Sequence, residues 1–451
     1  MHQPAPRERT FFGMPIGLAY LSFTEAWERF SFYGMTSILV LYMSQALLLP
    51  GRVEGIIGFE RFRIGLEALF GPMTTLALAS QIFGLYAGFM YFTPVFGGLV
   101  ADRWLGRRAA VMLGAILMSG GHIAMAFDAT FLLALFLLII GCGLLKGNIS
   151  AQVGGLFDAK DGAARTRAFA IFSTAINIGA VLGPLVCGLL AQIWGWHVGF
   201  AASGLLMLCG LATYVAGFRY LPDTPRGKDR PRSEVLTRAE RRTIGLLVLV
   251  LGLSVFQTVI YYQSSNIGLV WIDQYVDLRL GNFSVPPAWF VSVDSFASIV
   301  GMPLVLLLWR RQAERHGEPT EIGKLATGLV LAIIANLLQV FASRNAAPGT
   351  VSVIYPLVAL IIHGVGFVFY WPPLLALVSR LAPPSVNATM MGVVFLSIFA
   401  GNSLIGWIGR YYEPLGPAGF WMLQVAIGGV GLVLILLLKR PIEQALASRV
   451  G

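Results

Sequence analysis

Residues 21–48 read "LSFTEAWERFSFYGMTSILVLYMSQALL", an apolar run long enough to cross the hydrocarbon core of a bilayer as one helix. Glu25, Glu28 and Arg29 stand near the start of this run at spacings of three and four residues, so they share one face of the helix. A charge at the centre of a membrane helix costs about 2.5–3.5 kcal/mol on insertion scales, and it marks a functional site by default. We therefore expect these charges to face a hydrated, protein-lined cavity.

The composition of the whole chain is that of a polytopic membrane protein. Its 451 residues are 57% hydrophobic and 12% charged, whereas a soluble domain carries roughly twice this charged fraction. Apolar runs of membrane-spanning length recur along the chain and predict twelve spans. We place these spans at 15–48, 74–101, 108–127, 130–157, 164–193, 196–219, 243–271, 287–309, 322–343, 350–380, 386–412 and 416–438.

The net charge of +10 reflects membrane topology rather than nucleic-acid binding. Most Lys and Arg residues fall in the tails and in alternate loops, which the positive-inside rule assigns to the cytoplasm. We therefore predict a multi-pass protein of the cytoplasmic (inner) membrane of a prokaryote, with both termini cytoplasmic and a functional monomer in the lipid bilayer. Cys142, Cys187 and Cys209 lie in apolar spans and have no predicted disulfide role.

The chain divides into two groups of six predicted spans. Residues 1–219 hold the first group and 243–440 the second; a basic, Pro-rich cytoplasmic linker at 220–242 joins them, and a tail follows at 441–451. This organisation predicts an all-α membrane protein with the major facilitator fold, in which two six-helix bundles flank a substrate site near the bilayer midplane. The loop "GGLVADRWLGRR" is similar to a loop signature of that superfamily, through Asp102, Arg103, Gly106, Arg107 and Arg108.

Residues 52–72, "RVEGIIGFERFRIGLEALFGP", lie between the first two predicted spans. Apolar and charged residues are interspersed in this segment, which allows two interpretations. It forms either a short amphipathic helix on the outer surface or a solvated extracellular loop.

Several segments resemble the proton-dependent oligopeptide transporter family, a peptide transporter family of the major facilitator superfamily. The first span contains "EAWERFSFYGM", which is similar to the family signature E-x-x-E-R-F-x-Y-Y-G-M. Further similar segments are "GCGLLKGNISAQVGGLF" (141–157), "FSTAINIGAVLGPLVCGLLAQIWGWHVGF" (172–200), "VPPAWFVSVDSF" (285–296) and "RLAPPSVNATMMG" (380–392). Members of the family are proton-driven symporters of di- and tripeptides, and some carry other small molecules.

The resemblance implies roles for individual residues. Arg29 and Lys146 would bind the carboxylate of a peptide, and tyrosine and amide groups would bind its backbone. The residues predicted to couple the proton are Glu25, Glu28, Arg29, Lys146 and Asp294. The residues predicted to bind substrate are Arg29, Tyr33, Tyr91, Lys146, Asn177, Gln263 and Asp294. A static salt-bridge network that joins spans 1 and 4 is the alternative for the charged residues of those spans.

The chain departs from the family pattern at positions that concern the amino end of a peptide. Span 7 reads "IYYQSSN" (260–266) without the acid that the family places there, and Phe367 stands where span 10 usually has Glu. Thr36 replaces an Arg of the first span. We predict that Asp294 in span 8 binds the substrate amino group or carries the proton, in place of the acids missing from spans 7 and 10. The alternative is an acid at a helix end near the outer surface.

Other candidate residues have open roles. His363 in span 10 is either a proton relay or a hydrogen-bonded core residue. Asp273 and Asp277, at the outer end of span 7, resemble an extracellular gate acid of the family; their partner is open, and we assign the gate role to Asp273. Glycines and prolines within span 10 predict either a gating interruption or tolerated kinks. These residues are Gly364, Gly366, Pro372 and Pro373.

The sequence therefore predicts a proton-coupled symporter that imports di- or tripeptides by alternating access. One alternative keeps the fold and carries a non-peptide, carboxylate-bearing small molecule without a free amine. A more remote alternative is a non-transporting sensor on a transporter scaffold. We predict no enzyme activity, cofactor or metal, because the sequence contains no nucleophile–base pair, metal-ligand spacing or phosphate-binding loop.

Overall fold

A computed structural model describes residues 10–158, 161–222 and 236–447 of the chain. Within these residues the fold is helical, with two short β-hairpins, β1–β2 and β3–β4. The strands are Thr10–Phe11, Met14–Pro15, Arg279–Leu280 and Phe283–Ser284. The helices, α1 to α14 in chain order, are Gly17–Tyr42, Phe59–Phe70, Thr75–Val100, Arg107–Ala124, Phe131–Gly155, Gly162–Trp194, Trp196–Gly217, Arg238–Tyr262, Ile267–Tyr275, Trp289–His316, Glu321–Ser343, Ile354–Leu381, Asn387–Gly409 and Tyr412–Ala447.

The described residues confirm about twelve membrane spans. Eleven helical segments are long and apolar enough to cross a bilayer, and α8 and α9 together form one of them. The predicted third span corresponds to α4, which is 18 residues long. Two arginines at its start and His122 near its end lower its mean hydropathy, so it stands apart from the eleven.

The seventh span is broken, although the sequence predicts one continuous span over 243–271. Helix α8 ends at Tyr262, a 3₁₀ turn follows, and Asn266 has non-helical angles (φ −109°, ψ −104°) before α9 begins at Ile267. Span 10, by contrast, is continuous as α12, with Pro372 and Pro373 inside it. Of the two interpretations of the glycines and prolines in span 10, the continuous helix favours tolerated prolines.

Residues 59–70 form the amphipathic helix α2, which decides between the two interpretations of the segment 52–72. Phe59 and Leu66 are buried, while Leu69 is exposed. Arg63 Nε lies 2.9 Å from Glu67 Oε1 across one helical turn, which stabilises the exposed face.

The predicted linker at 220–242 is partly helical. A capping box at Thr237 and Glu240 starts α8 at Arg238, because each residue accepts a backbone N–H from the other. Residues 223–235 of the linker lie outside the described part of the chain. Cys142 and Cys187 are buried, and Cys209 is half-buried.

Contacts group the described residues into two compact units. Unit 1 takes its residues from 1–38, 50–60 and 92–229, and unit 2 from 39–49, 61–91 and 230–451. Unit 2 thus includes the end of the first span and the start of the second, which the sequence-based division places in the N-terminal bundle. The division into two six-helix bundles stays a prediction.

In unit 1, α4 packs on α5 and α7, and α6 packs on α7. Helix α6 also approaches α1 closely at Gly183, where an added Cβ would lie 2.4 Å from Phe30 O and 2.8 Å from Gly34 N. Small residues allow membrane helices to approach in this way and gain van der Waals contact. This contact helps to fix the charged segment of α1 inside unit 1.

In unit 2, α11 packs on α12 and α14, α10 packs on α12, and α8 packs on α13. The start of α3 joins them at Gly84, where an added Cβ would lie 2.7 Å from Gly406 N. Ser80 lies one turn before Gly84 on α3. Its Oγ accepts a hydrogen bond from the side chain of Asn266, at the break of span 7 (2.7 Å). The break is therefore held by a polar side chain of a neighbouring helix.

We predict that Gly183→Ala destabilises the protein by about 1–3 kcal/mol, because the new methyl group meets the backbone of α1 rather than a flexible side chain. The control is Gly162→Ala in the same helix, where an added Cβ meets no atom within 4 Å. Thermal unfolding of the detergent-purified protein measures the difference. Equal Tm values for the two variants would contradict the close contact.

Candidate functional site

The charges of the first span form a buried ion cluster in unit 1. Arg29 donates two hydrogen bonds to the carboxylate of Glu28, one from Nη2 to Oε1 (2.6 Å) and one from Nε to Oε2. The same Nε lies 3.4 Å from Glu25 Oε1. The helical spacing of i and i+4 brings Glu25 and Arg29 together, as the sequence predicted.

The two acids of this cluster have different environments. Glu28 is fully buried, and Arg29 binds both of its carboxylate oxygens. Glu25 is 3% exposed, and within the described part of the chain its Oε2 is buried without a hydrogen-bond partner. The cluster is thus enclosed by protein in this structure, and Glu25 keeps one oxygen available for a proton.

Lys146 on α5 adds a second cation to the cluster. Its side chain is half-buried, and its charge interacts with those of Glu25 and Arg29. Tyr33 lies one turn beyond Arg29 on the same helix. We call Glu25, Glu28, Arg29 and Lys146 the charge cluster. Two positive and two negative groups offset one another, which reduces the cost of burying them.

Helix α6 contributes the remaining predicted residue of unit 1. An added Cβ at Gly179 would lie 2.9 Å from Arg29 Cβ, so the glycine lets α6 pack against α1 at the level of the charge cluster. Asn177, two residues earlier on α6, is exposed. The structure thus places Asn177 near the same turn of α6 without a described contact to the cluster.

The loop between α3 and α4 carries the superfamily motif and is held by its own charges. Arg107 Nε lies 3.6 Å from Asp102 Oδ1, and Arg108 donates a hydrogen bond to the backbone oxygen of Leu221 beyond α7. Gly106 adopts a φ of +78°, a conformation that glycine takes without strain. Arg103 is exposed. These contacts connect the motif, at the start of α4, to the backbone that follows α7.

Unit 2 contains a second polar cluster around Asp294. Tyr261 donates a hydrogen bond from its hydroxyl to Asp294 Oδ2 (2.6 Å). The ring of Tyr261 lies 5.8 Å from that of His363 and 5.3 Å from that of Phe367, centroid to centroid. We call Tyr261, Asp294, His363 and Phe367 the acid–aromatic cluster.

Asp294 is half-buried near the start of α10. It lies on the second turn of α10, and Tyr261 of α8 holds its carboxylate. Its other oxygen, Oδ1, is buried without a hydrogen-bond partner among the described residues. A carboxylate with one satisfied and one available oxygen can bind an ammonium group or a proton.

Three further polar side chains lie on the helices around the break of span 7. The rings of Tyr91 and Tyr262 meet edge to face at 6.4 Å, and Tyr91 also stacks on Phe395 at 6.5 Å. Gln263, in the 3₁₀ turn, is fully buried, and among the described residues its amide atoms have no hydrogen-bond partner. An unpaired buried amide costs about 1–3 kcal/mol, which a water or a substrate group would offset.

Asp273 on α9 has a partner that the sequence did not identify. Gln45, in the π-helical turn that ends the first span, donates a hydrogen bond to Asp273 Oδ2 (2.6 Å). The contact joins residues 228 positions apart in the chain. The hydrogen-bond partner of Asp273 is therefore a neutral amide, where an ion pair would have a cation.

Sequence reasoning missed Tyr261 and Gln45 as partners of acids. Tyr261 had one signal, since it stands in the stretch of span 7 where the family's acid is absent. Gln45 had none, because a glutamine at the end of an apolar run is unremarkable in composition. His363 is buried, and its ring packs edge to face on Tyr261.

We predict that Glu28→Gln lowers the free energy of unfolding by about 3 kcal/mol or more, because it leaves the buried guanidinium of Arg29 without its main partner. We expect Glu25→Gln to lower the free energy of unfolding less. The matched Glu25→Gln variant removes a longer contact. Thermal unfolding at neutral pH in detergent compares the two variants. Equal destabilisation would contradict the unequal roles of the two acids.

Comparisons with known proteins identify the superfamily and the fold of the chain. Residues 21–406 match the Major Facilitator Superfamily profile. The chain is 26% identical to the uncharacterized transporter YclF of Bacillus subtilis (strain 168), over 97% of each chain. It is 27% identical to a di-/tripeptide transporter of Lactococcus lactis subsp. cremoris, over 96% of this chain and 97% of the relative.

A crystal structure of a mutant peptide transporter POT in complex with alafosfalin has the same fold, with a TM-score of 0.85, 27% sequence identity and coverage of 97% of both chains. The superfamily match spans most of the chain, and the named relatives are transporters rather than enzymes. This protein is therefore a multi-pass membrane transporter of the major facilitator superfamily, and within that superfamily it belongs to the peptide transporter (POT) family.

Proposed function

We propose that the protein is a proton-coupled symporter that imports di- and tripeptides by alternating access. It works as a monomer in the cytoplasmic membrane of a prokaryote, with both termini in the cytoplasm. The observation that carries the proposal is the charge cluster, in which an enclosed Arg29 is shared by two carboxylates on one helical face. The similar di-/tripeptide transporter of Lactococcus lactis supports the choice of substrate class.

The carboxylate of the substrate binds Arg29 and Lys146 in this proposal. A guanidinium offers several N–H donors in a plane, and an ammonium adds a point charge, so the two bind a carboxylate with charge-assisted hydrogen bonds. Substrate and Glu25 then compete for the same cation. When the substrate carboxylate binds Arg29, the negative charge of Glu25 is no longer fully compensated. Glu25 then takes up a proton, which removes that charge. Binding of the anion and uptake of the proton are thus linked.

Glu25 is the proton carrier of the pair. Its Oε2 is buried without a described hydrogen-bond partner, whereas both oxygens of Glu28 are bound by Arg29. Glu28 holds the guanidinium in place through the cycle. The network therefore has one structural acid and one acid that changes its protonation state.

The amino end of the peptide binds Asp294. Tyr261 orients the Oδ2 side of that carboxylate and leaves Oδ1 for the ammonium group. Tyr33, Tyr91, Asn177 and Gln263 supply hydroxyl and amide groups for the peptide backbone.

One observation favours a second candidate, a carboxylate-bearing substrate without a free amine. Phe367 stacks on Tyr261 beside Asp294, so an apolar ring lies where the family usually presents an acid. A substrate with an apolar group at this end would contact the ring of Phe367 and would not pair with the carboxylate of Asp294.

Purified protein in liposomes tests the proposed function. We expect a panel of di- and tripeptides to accumulate inside only when the outside is more acidic than the inside, and peptide addition to drive protons inward. Protein-free liposomes are the control. Uptake that is indifferent to the proton gradient, or no uptake of any peptide, would contradict the proposal.

Competition with blocked peptides separates the two substrate classes. We expect dialanine to compete with a labelled peptide and N-acetyl-dialanine to compete at least about tenfold more weakly, because the acetylated form cannot pair with Asp294. The inhibition constants of the two compounds measure the effect. Equal inhibition would favour the substrate without a free amine.

The hydrogen bond between Tyr261 and Asp294 gives a separate prediction. We expect Asp294→Asn to abolish peptide uptake and Tyr261→Phe to raise KM on the order of tenfold, because the tyrosine positions a charged acceptor. Tyr355→Phe, at the start of α12, makes the same change away from both clusters and serves as the control. Unchanged uptake by Asp294→Asn would remove this residue from the site.

A further inference from the structure

A polar cleft at one end of unit 2 is separate from both clusters. It has a volume of about 500 Å³ and is lined by the end of α10, the turn that follows, the start of α11 and Lys439 of α14. This volume lies within the range of small-ligand sites. Proposed substrate contacts do not reach it, since Asp294 lies at the opposite end of α10.

Lys324 forms one wall of the cleft with its charge almost buried. It is 7% exposed, its Nζ lies 2.5 Å from Glu318 Oε1, and it sits 4.1 Å from the centre of the Trp309 ring. Glu318 is 60% exposed, so water screens its attraction for the ammonium. The cation is thus partly compensated and has further N–H donors for an anion.

Lys439 provides a second cation beside the first. Its Nζ lies 3.4 Å from the position of an added Cβ at Gly323, the residue that precedes Lys324. Two ammonium groups therefore flank the first turn of α11, against one carboxylate, Glu318, in the lining. The residues that line the cleft therefore carry a net positive charge, which favours an anion. Outside the lining, the carboxylate of Glu443 accepts a hydrogen bond from Thr320.

Trp309 supplies an unused donor. Its side chain is 9% exposed, and within the described residues its indole Nε1 is buried without a hydrogen-bond partner. A buried indole N–H usually finds an acceptor. The same ring lines the cleft, which makes the indole N–H a candidate donor for a ligand there.

The surface that leads to the cleft is apolar. Leu304 and Leu308, one turn apart on α10, are 63% and 53% exposed, and Gln312, one turn further, lines the cleft. This face changes from hydrocarbon-like to polar at the level of Trp309, as a membrane-facing surface does at the interface. A ligand with acyl chains beside α10 would place its headgroup in the cleft.

We propose that this cleft binds the phosphate of an anionic phospholipid. The two lysines and the indole N–H of Trp309 bind the phosphate oxygens, and the acyl chains lie along the leucines of α10. In the orientation proposed above, the site faces the cytoplasmic leaflet, where basic pockets between membrane helices bind anionic headgroups.

Native mass spectrometry of the detergent-purified protein tests the site. Dioleoyl phosphatidylglycerol, dioleoyl phosphatidylcholine and inorganic phosphate are added separately to the wild type, Lys439→Gln, Arg440→Gln and Trp309→Phe. Arg440→Gln removes the same charge from the neighbouring position, which does not line the cleft. Thermal unfolding confirms that each variant is folded.

We expect the wild type and Arg440→Gln to bind phosphatidylglycerol alike and phosphatidylcholine weakly. Lys439→Gln should bind phosphatidylglycerol about fivefold more weakly, as the loss of one interfacial cation implies, and folded Trp309→Phe should also bind it more weakly. Equal binding of the two lipids, or equal losses in Lys439→Gln and Arg440→Gln, would overturn the site. Phosphate that binds as tightly as phosphatidylglycerol would identify a free-anion site and overturn the lipid assignment.

Discussion

The proposed transport cycle depends on the contacts that the guanidinium of Arg29 makes with the carboxylates of both Glu25 and Glu28. One cation, enclosed by protein, contacts two carboxylates of its own helix, and Lys146 adds a second positive charge. Removal of any one charge leaves another buried without full compensation, which is costly in a low-dielectric environment. This arrangement makes the cluster sensitive to a substrate anion and to a proton, and both can restore the charge balance.

The second cluster follows a different design. A single acid, Asp294, accepts a hydrogen bond from the neutral phenol of Tyr261, so its compensation comes from a hydrogen bond rather than from a cation. The ring of Tyr261 packs in turn against the rings of His363 and Phe367. In the proposed function, the cations bind the carboxylate of the substrate and the lone acid binds its ammonium group. The broken seventh span carries Tyr261 just before the break and the buried amide of Gln263 within it, so the polar groups of unit 2 lie beside an irregular backbone. Such irregular backbone in membrane helices is tolerated where protein or a cavity surrounds it.

Much of the fold followed from local sequence. The lengths of the apolar runs predicted about twelve spans, and the helices begin and end within a few residues of most predicted bounds. The amphipathic segment 59–70 was ambiguous from the sequence, because alternating apolar and charged residues suit both a helix and a solvated loop. The break of span 7 was missed, since "IYYQSSN" has neither glycine nor proline, the usual signals of an interruption.

The sequence by itself determined which residues share a helical face and which spans carry charge. Glu25, Glu28 and Arg29 meet because helical geometry relates residues three and four apart, whatever surrounds them. The tertiary structure alone decided the pairs Tyr261–Asp294, Gln45–Asp273 and Lys324–Trp309. These residues lie 15 to 228 positions apart along the chain, so their meeting depends on how helices pack, and no local periodicity encodes that approach.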